Sequence, residues 1–207
     1  LLATSAYLTV EYLAAREAGD MAEFLFTDSI LWYETFNIHY AVGVDGVSVA
    51  MLLLSSIVVI TGVFVSYSIE EQTKEYFLWF LLLSIGVYGF FISLDLFTMF
   101  LFYEVALIPM YLLIGLWGSG KKEYSAMKLT LMLMGGSAFL MVGIFGIYYL
   151  SVPKGGSLTF NIQEIAANVT TLTEQGADNS WQYIFFPLTF VGFGVLGAMF
   201  PFHTWSP

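Results

Sequence analysis

The sequence predicts an all-α, polytopic transmembrane helix bundle, and three observations carry that prediction. Hydrophobic residues make up 58% of the chain and the mean hydropathy is +0.80. Charged residues are only 11%, where a soluble domain carries about 25%. The chain also contains repeated apolar runs near the length that crosses a bilayer core as a helix, about 20 residues.

In chain order, residues 1–15 are long enough for part of one span, and an acidic connector reaching Glu34 follows. Gly43, Asp45 and Gly46 mark a turn in which Asp45 is placed to cap a helix start by accepting backbone N–H groups. A span over 47–67 ends at the charged connector Ser68 to Glu75. The apolar stretch Tyr76 to Trp117 is twice one span's length, so it divides into helices over 77–93 and 96–117, turning at Ser93, Leu94 and Asp95. After the polar loop Gly118 to Ser125 comes a span over 126–150, in which Gly135, Gly136, Gly143 and Gly146 allow close helix packing. Residues 151–181 form the outer loop, with a short helix near Ile162 to Asn168, and the last span runs over 183–200. With no Met at its start and no polar tail, the chain reads as a fragment comprising a single membrane domain, 1–207.

Composition excludes several functions. There is no cysteine, so disulfides, thiolate catalysis and iron–sulfur ligation are excluded, and two distant histidines, His39 and His203, do not make a haem or metal centre. A net charge of −10 argues against nucleic acid as a partner and leaves the lipid bilayer as the surrounding medium. Lys74, Lys121, Lys122 and Lys128 fall on one side of the membrane, against Arg16 and Lys154 on the other. The first side is therefore expected to face the cytoplasm and the 151–181 loop the outside.

Glu104 is the residue most suited to chemistry, because it lies near the midpoint of the 96–117 span. A carboxylate there costs roughly 2.5–3.5 kcal/mol on insertion scales, so it must face protein or water. It is either a structural hydrogen-bonded carboxyl or a proton relay. Pro109, five residues on, removes one backbone donor from the helix and acts as a packing kink or a functional distortion. Asp95 reads as a turn residue. His203 sits among Pro201, Trp205 and Pro207 and is either an interfacial side chain or a proton-passing one. Lys128, three residues into its expected span, snorkels to the interface or serves as a buried relay partner.

The string from Phe102 through Glu104, Val105, Ala106, Leu107, Ile108, Pro109, Met110 and Tyr111 to Gly118 resembles the signature helix of the antiporter-like subunit M (chain 4) family of proton-pumping NADH:quinone oxidoreductase, respiratory complex I. Gly43 to Ser48 is similar to the motif opening an earlier helix of that family, and Pro201 to Trp205 to the end of its seventh helix. The resemblance implies an antiporter-like, inverted-repeat fold, of which this chain holds the end of the second helix through the seventh. It further implies that Glu104 matches an essential mid-membrane glutamate normally paired with a lysine in a broken seventh helix. In this chain Leu196 stands at the lysine's place and Ala198 where a proline is usual.

The implied function is proton translocation by a membrane-arm subunit of NADH:quinone oxidoreductase, coupled to quinone reduction elsewhere in the enzyme. No cofactor is expected in this chain, while NADH, FMN, iron–sulfur clusters and quinone belong to other subunits. The expected partners are further antiporter-like and membrane-arm subunits. The expected location is a prokaryotic cytoplasmic membrane, crossed many times. The alternative is the homologous subunit of a multisubunit cation/proton antiporter or a membrane-bound hydrogenase.

Overall fold

The computed structural model describes residues 1–153, 156–176 and 180–205. Its elements are α1 (Leu2–Glu17), β1 (Leu25–Tyr33), β2 (Ile38–Val44), α2 (Gly46–Val65), α3 (Thr73–Ile92), α4 (Leu96–Trp117), α5 (Lys122–Leu150), α6 (Ile162–Glu174) and α7 (Gln182–Leu196). Helices α2, with the short 3-10 turn after it, α3, α4 and α5 are each long and apolar enough to cross a bilayer. The chain is a multi-pass membrane protein. Large apolar side chains such as Val58, Phe64, Leu81 and Leu131 stay exposed on its outer surface, which is how helices present themselves to hydrocarbon rather than to water.

Asp45 caps α2 as its position in the sequence implies: its Oδ1 accepts the Ser48 N–H at 2.8 Å. Burial pushes the Asp45 carboxyl up, but hydrogen bonds from Ser48 and neighbouring backbone outweigh it and hold the group below its ordinary value. Helices α3 and α4 pack closely because Gly86 and Gly89 leave room, a Cβ on Gly86 lying 2.8 Å from that of Ala106. On α5, Gly136, Gly143 and Gly146 all face α7; a Cβ on Gly143 would stand 2.9 Å from the Thr189 backbone nitrogen. Gly135 meets nothing within 4 Å.

Two features differ from a plain bundle. Residues 25–44 form an antiparallel hairpin, with Asp28 opposite Val42 and Leu31 opposite His39, turning through Asn37 in the left-handed region (φ 51). The α3–α4 connector lies against that two-stranded hairpin through a single bridge, Ser93 opposite Val42. The Leu94 N–H donates to the Ala41 carbonyl at 2.9 Å, and the Leu94 carbonyl accepts the Ile162 N–H at 3.0 Å. Ser93, Leu94 and Asp95 are all buried. The hairpin, this connector and the start of α6 thus make one extracted layer across the ends of the helices, here called the hairpin face.

Helix α7 stops at Leu196, and the stretch beyond it, expected to continue to Phe200, turns instead. The Met199 N–H reaches back to the Gly194 carbonyl at 2.8 Å and the Ala198 N–H to the Val195 carbonyl at 3.2 Å, with Ala198 left-handed at φ 50. These two bonds form a Schellman cap, which satisfies carbonyls that a helix end leaves open. A 3-10 turn over Phe202–Trp205 follows, and the Trp205 indole N–H donates to the Val195 carbonyl at 2.9 Å.

Candidate functional site

The site is built on α4, an apolar helix whose one charged side chain is Glu104, the ninth of its 22 residues. Glu104 is half-buried, and its Oε1 is buried without a hydrogen-bond partner. Its helix neighbours fix the surroundings. Tyr103 is buried, and its hydroxyl donates to the Leu133 carbonyl on α5 at 3.1 Å. Leu107, one turn toward the far end, packs with Leu129, Leu133 and Val195. Phe100, one turn toward the hairpin face, joins the cluster of Leu140 and Ile144, against which Phe193 also packs.

Leu196 packs against both of those clusters. The last residue of α7 therefore meets the seam that carries Glu104, and it brings a hydrocarbon side chain rather than a charge. Pro109 is fully buried inside α4. The helix continues through it to Trp117, so its effect is local: the Val105 carbonyl loses its regular donor.

The other two candidates stand apart from this seam. Lys128 is half-buried on α5, two residues past Ala126, the side chain that meets Gly115 of α4. At 3.6 residues per turn that is about 200° around the helix, so the structure does not bring Lys128 against Glu104. His203 is exposed and stacks on Phe200 at a centroid distance of 5.7 Å. Lys154, counted for membrane orientation, lies outside the described residues.

At the hairpin end of α4, Asp95 has no exposed surface. Its Oδ1 accepts the N–H groups of Phe97 and Thr98 at 2.9 and 3.1 Å, so the residue expected at the turn also caps α4. Burial pushes the carboxyl up, opposed by backbone donors of Thr98, His39 and Phe97, and the net direction is upward. Thr98 donates its hydroxyl to the His39 carbonyl at 3.2 Å, tying α4 to β2. Sequence reasoning missed these hairpin ties and the Trp205 clamp. The signals were faint: a Thr one turn into a helix and an aromatic four residues after a proline.

The sequence profile of the NADH:quinone oxidoreductase/Mrp antiporter transmembrane family matches residues 93–207, from the α3–α4 connector through the break after α7. The chain belongs to this family. Among its relatives is the NADH-quinone oxidoreductase subunit M of Rickettsia felis, 31% identical over 202 residues, which cover 97% of this chain and 38% of the relative. Among solved structures, a chain of respiratory complex I from Thermus thermophilus with bound NADH aligns at a TM-score of 0.73 and 21% identity, covering 99% of this chain and 40% of that one. A chain of the Mrp complex from Dietzia sp. aligns at 0.69 and 21% identity, covering 99% and 36%. These two likenesses establish a shared antiporter-type fold. The chain spans well under half the length of each of the three.

Proposed function

We propose that this chain serves in a proton-translocating membrane-arm subunit of an NADH:quinone oxidoreductase, with Glu104 as the group that takes up and releases a proton mid-membrane. The supporting observation is the Glu104 carboxyl itself: it sits at the centre of a spanning helix with one oxygen buried and unpartnered. An intramembrane carboxyl so placed is costly and is retained where it moves charge. The chain carries no redox centre of its own. NADH, FMN, iron–sulfur clusters and quinone are held by other subunits, and electron transfer there shifts the charge state of the membrane arm.

Pro109 contributes by leaving the Val105 carbonyl without its regular helix donor, a local polar point in the same apolar helix as Glu104. Lys128, half-buried on α5, and His203, exposed after α7, stand off the Glu104 seam and serve as further relay positions between it and the aqueous phase. Partners are the adjoining antiporter-like and membrane-arm subunits, and the location is a prokaryotic cytoplasmic membrane. The test is Glu104→Gln in the assembled enzyme in sealed vesicles. NADH oxidation should continue while protons moved per electron fall clearly below the wild-type ratio, and an unchanged ratio refutes the reading.

A second reading, a subunit of a cation/proton antiporter, is supported by the structural likeness to the Mrp complex. Purification of the native complex separates the two. Co-purifying NADH-oxidising subunits support the first, and a complex without them supports the second.

A further inference from the structure

Resting on the proposed role of Glu104, we infer that Tyr103 is the positioning residue for its carboxyl: the Tyr103 hydroxyl, held by the Leu133 carbonyl of α5, fixes the rotation of α4 and so the side of that helix on which Glu104 exchanges its proton.

Three successive residues of α4 point three ways. Phe102 lies over Gly89 of α3. Tyr103 reaches α5, where its hydroxyl donates to the Leu133 carbonyl at 3.1 Å. Glu104 follows about 100° further round the helix, on the face that bears Phe100 one turn before it and Ile108 one turn after. Phe100 is packed inside and Ile108 is exposed, so a partial rotation of α4 swings the carboxyl either into the α5 contact or out to the open side.

The other contacts that hold α4 are apolar: Ala106 against Gly86, Phe102 over Gly89, and Leu107 with Leu129 and Leu133. Such contacts are non-directional, whereas a hydrogen bond weakens steeply as its angle opens. Among the described residues, no other hydrogen bond joins two spanning helices away from their ends; the ties of Lys122 to Leu116, Trp117 to Glu71 and Ser66 to Tyr76 all lie at helix ends.

The hydroxyl is surplus to packing. Tyr103 is buried, its ring 6.4 Å from that of Phe100, and phenylalanine would fill the same space without bringing a polar group that costs free energy unless bonded. A carbonyl has two acceptor positions, so Leu133 can receive the hydroxyl and stay in the α5 ladder. The same stretch of α5 seats α7, because a Cβ on Gly136 would come within 2.8 Å of the Val195 side chain. The direction of Glu104 and the place of the α7 end are thus both set from one segment, residues 133–136.

The test uses the assembled complex in sealed vesicles and compares Tyr103→Phe, Tyr148→Phe and Glu104→Gln with wild type. Tyr148→Phe is the matched control: it deletes a like bond, from the Tyr148 hydroxyl to the Phe36 carbonyl at 3.1 Å, elsewhere in the molecule. Two quantities are read, the protons moved per electron and the pH titration of the Glu104 carboxylic C=O infrared band, which is the band missing from Glu104→Gln. An interhelical hydrogen bond in a membrane shifts an equilibrium by about threefold. Tyr103→Phe is therefore expected to oxidise NADH with the ratio cut roughly twofold or more and the band displaced, while Tyr148→Phe matches wild type in both. If Glu104→Gln loses pumping but Tyr103→Phe matches wild type, or if Tyr148→Phe alters both readings as much, Tyr103 serves packing alone and this inference falls by itself. If Glu104→Gln pumps normally, the transport reading falls and takes the inference with it. Should Tyr103→Phe not assemble, ring-labelled tyrosine in wild type and in Glu104→Gln decides: a labelled C–O band that shifts as Glu104 titrates, and stays fixed in Glu104→Gln, supports the inference, and a labelled spectrum indifferent to that titration overturns it.

Discussion

Ala198 holds a backbone conformation, φ 50, that glycine adopts freely and other residues adopt at a cost of about 1–2 kcal/mol. Ala198→Gly should therefore raise stability by about 1 kcal/mol, read as a higher midpoint of thermal unfolding in detergent. Ala198→Pro should cost about 3 kcal/mol, since proline fixes φ near −65° and removes the N–H given to Val195. The resembling family's proline at this place is thus incompatible with the cap found here. Asp45 makes a second test. Asp45→Ala should cost about 1 kcal/mol and Asp45→Asn little, because both Asp and Asn accept the Ser48 N–H. Its carboxyl lies below the ordinary value near 4, so its contribution is present above that pH and fades only as pH falls through the lowered value. Acid unfolding of wild type against Asp45→Asn checks the sign. The Asp45 cap was legible in the sequence, because a short acid flanked by turn residues before an apolar run has few other uses, whereas Asp95 was legible as a turn residue and its capping of α4 was not. The left-handed alanine was not legible, since nothing in its composition marks it.

Helices α5 and α7 approach through glycines, and the four on α5 do not act alike. Gly143→Leu should push against the Thr189 backbone and destabilise by about 1–3 kcal/mol, whereas Gly135→Ala meets open space and should be neutral or stabilising by up to about 1 kcal/mol. Unfolding curves for the pair distinguish contact from mere helix propensity. The sequence showed that these small residues serve packing but not which of them touch, because that depends on the azimuth of a helix not yet placed. It also showed the turn at 93–95, since a largely apolar stretch of 42 residues, Tyr76 to Trp117, is twice what one span needs. The hairpin stayed hidden. Its strand Leu25–Tyr33 is rich in Thr, Ile, Trp and Tyr but lacks clean alternation, nearly all of it is exposed, and its turn uses Glu34–Phe36 and Asn37 rather than a two-residue Asn-Gly turn. At the candidate site, Glu104 was legible because a mid-span acid is rare. The failure of Lys128 to meet it was not, because sequence distance says nothing of which way α5 is rotated.

The chain as a whole sorts its connectors cleanly between two faces. The hairpin, the 93–95 connector and α6 lie at one end of the bundle, while the 66–72 and 118–121 turns lie at the other with Lys74, Lys121 and Lys122. Lysines near helix ends remain on the cytoplasmic side. Protease added outside right-side-out vesicles should therefore cleave within 156–176, and inside-out vesicles should protect that segment; the reverse pattern would invert the assigned orientation. The connector between α3 and α4 also couples the two helices: three buried residues leave no slack, so a displacement of one is passed directly to the other and to the hairpin that covers them.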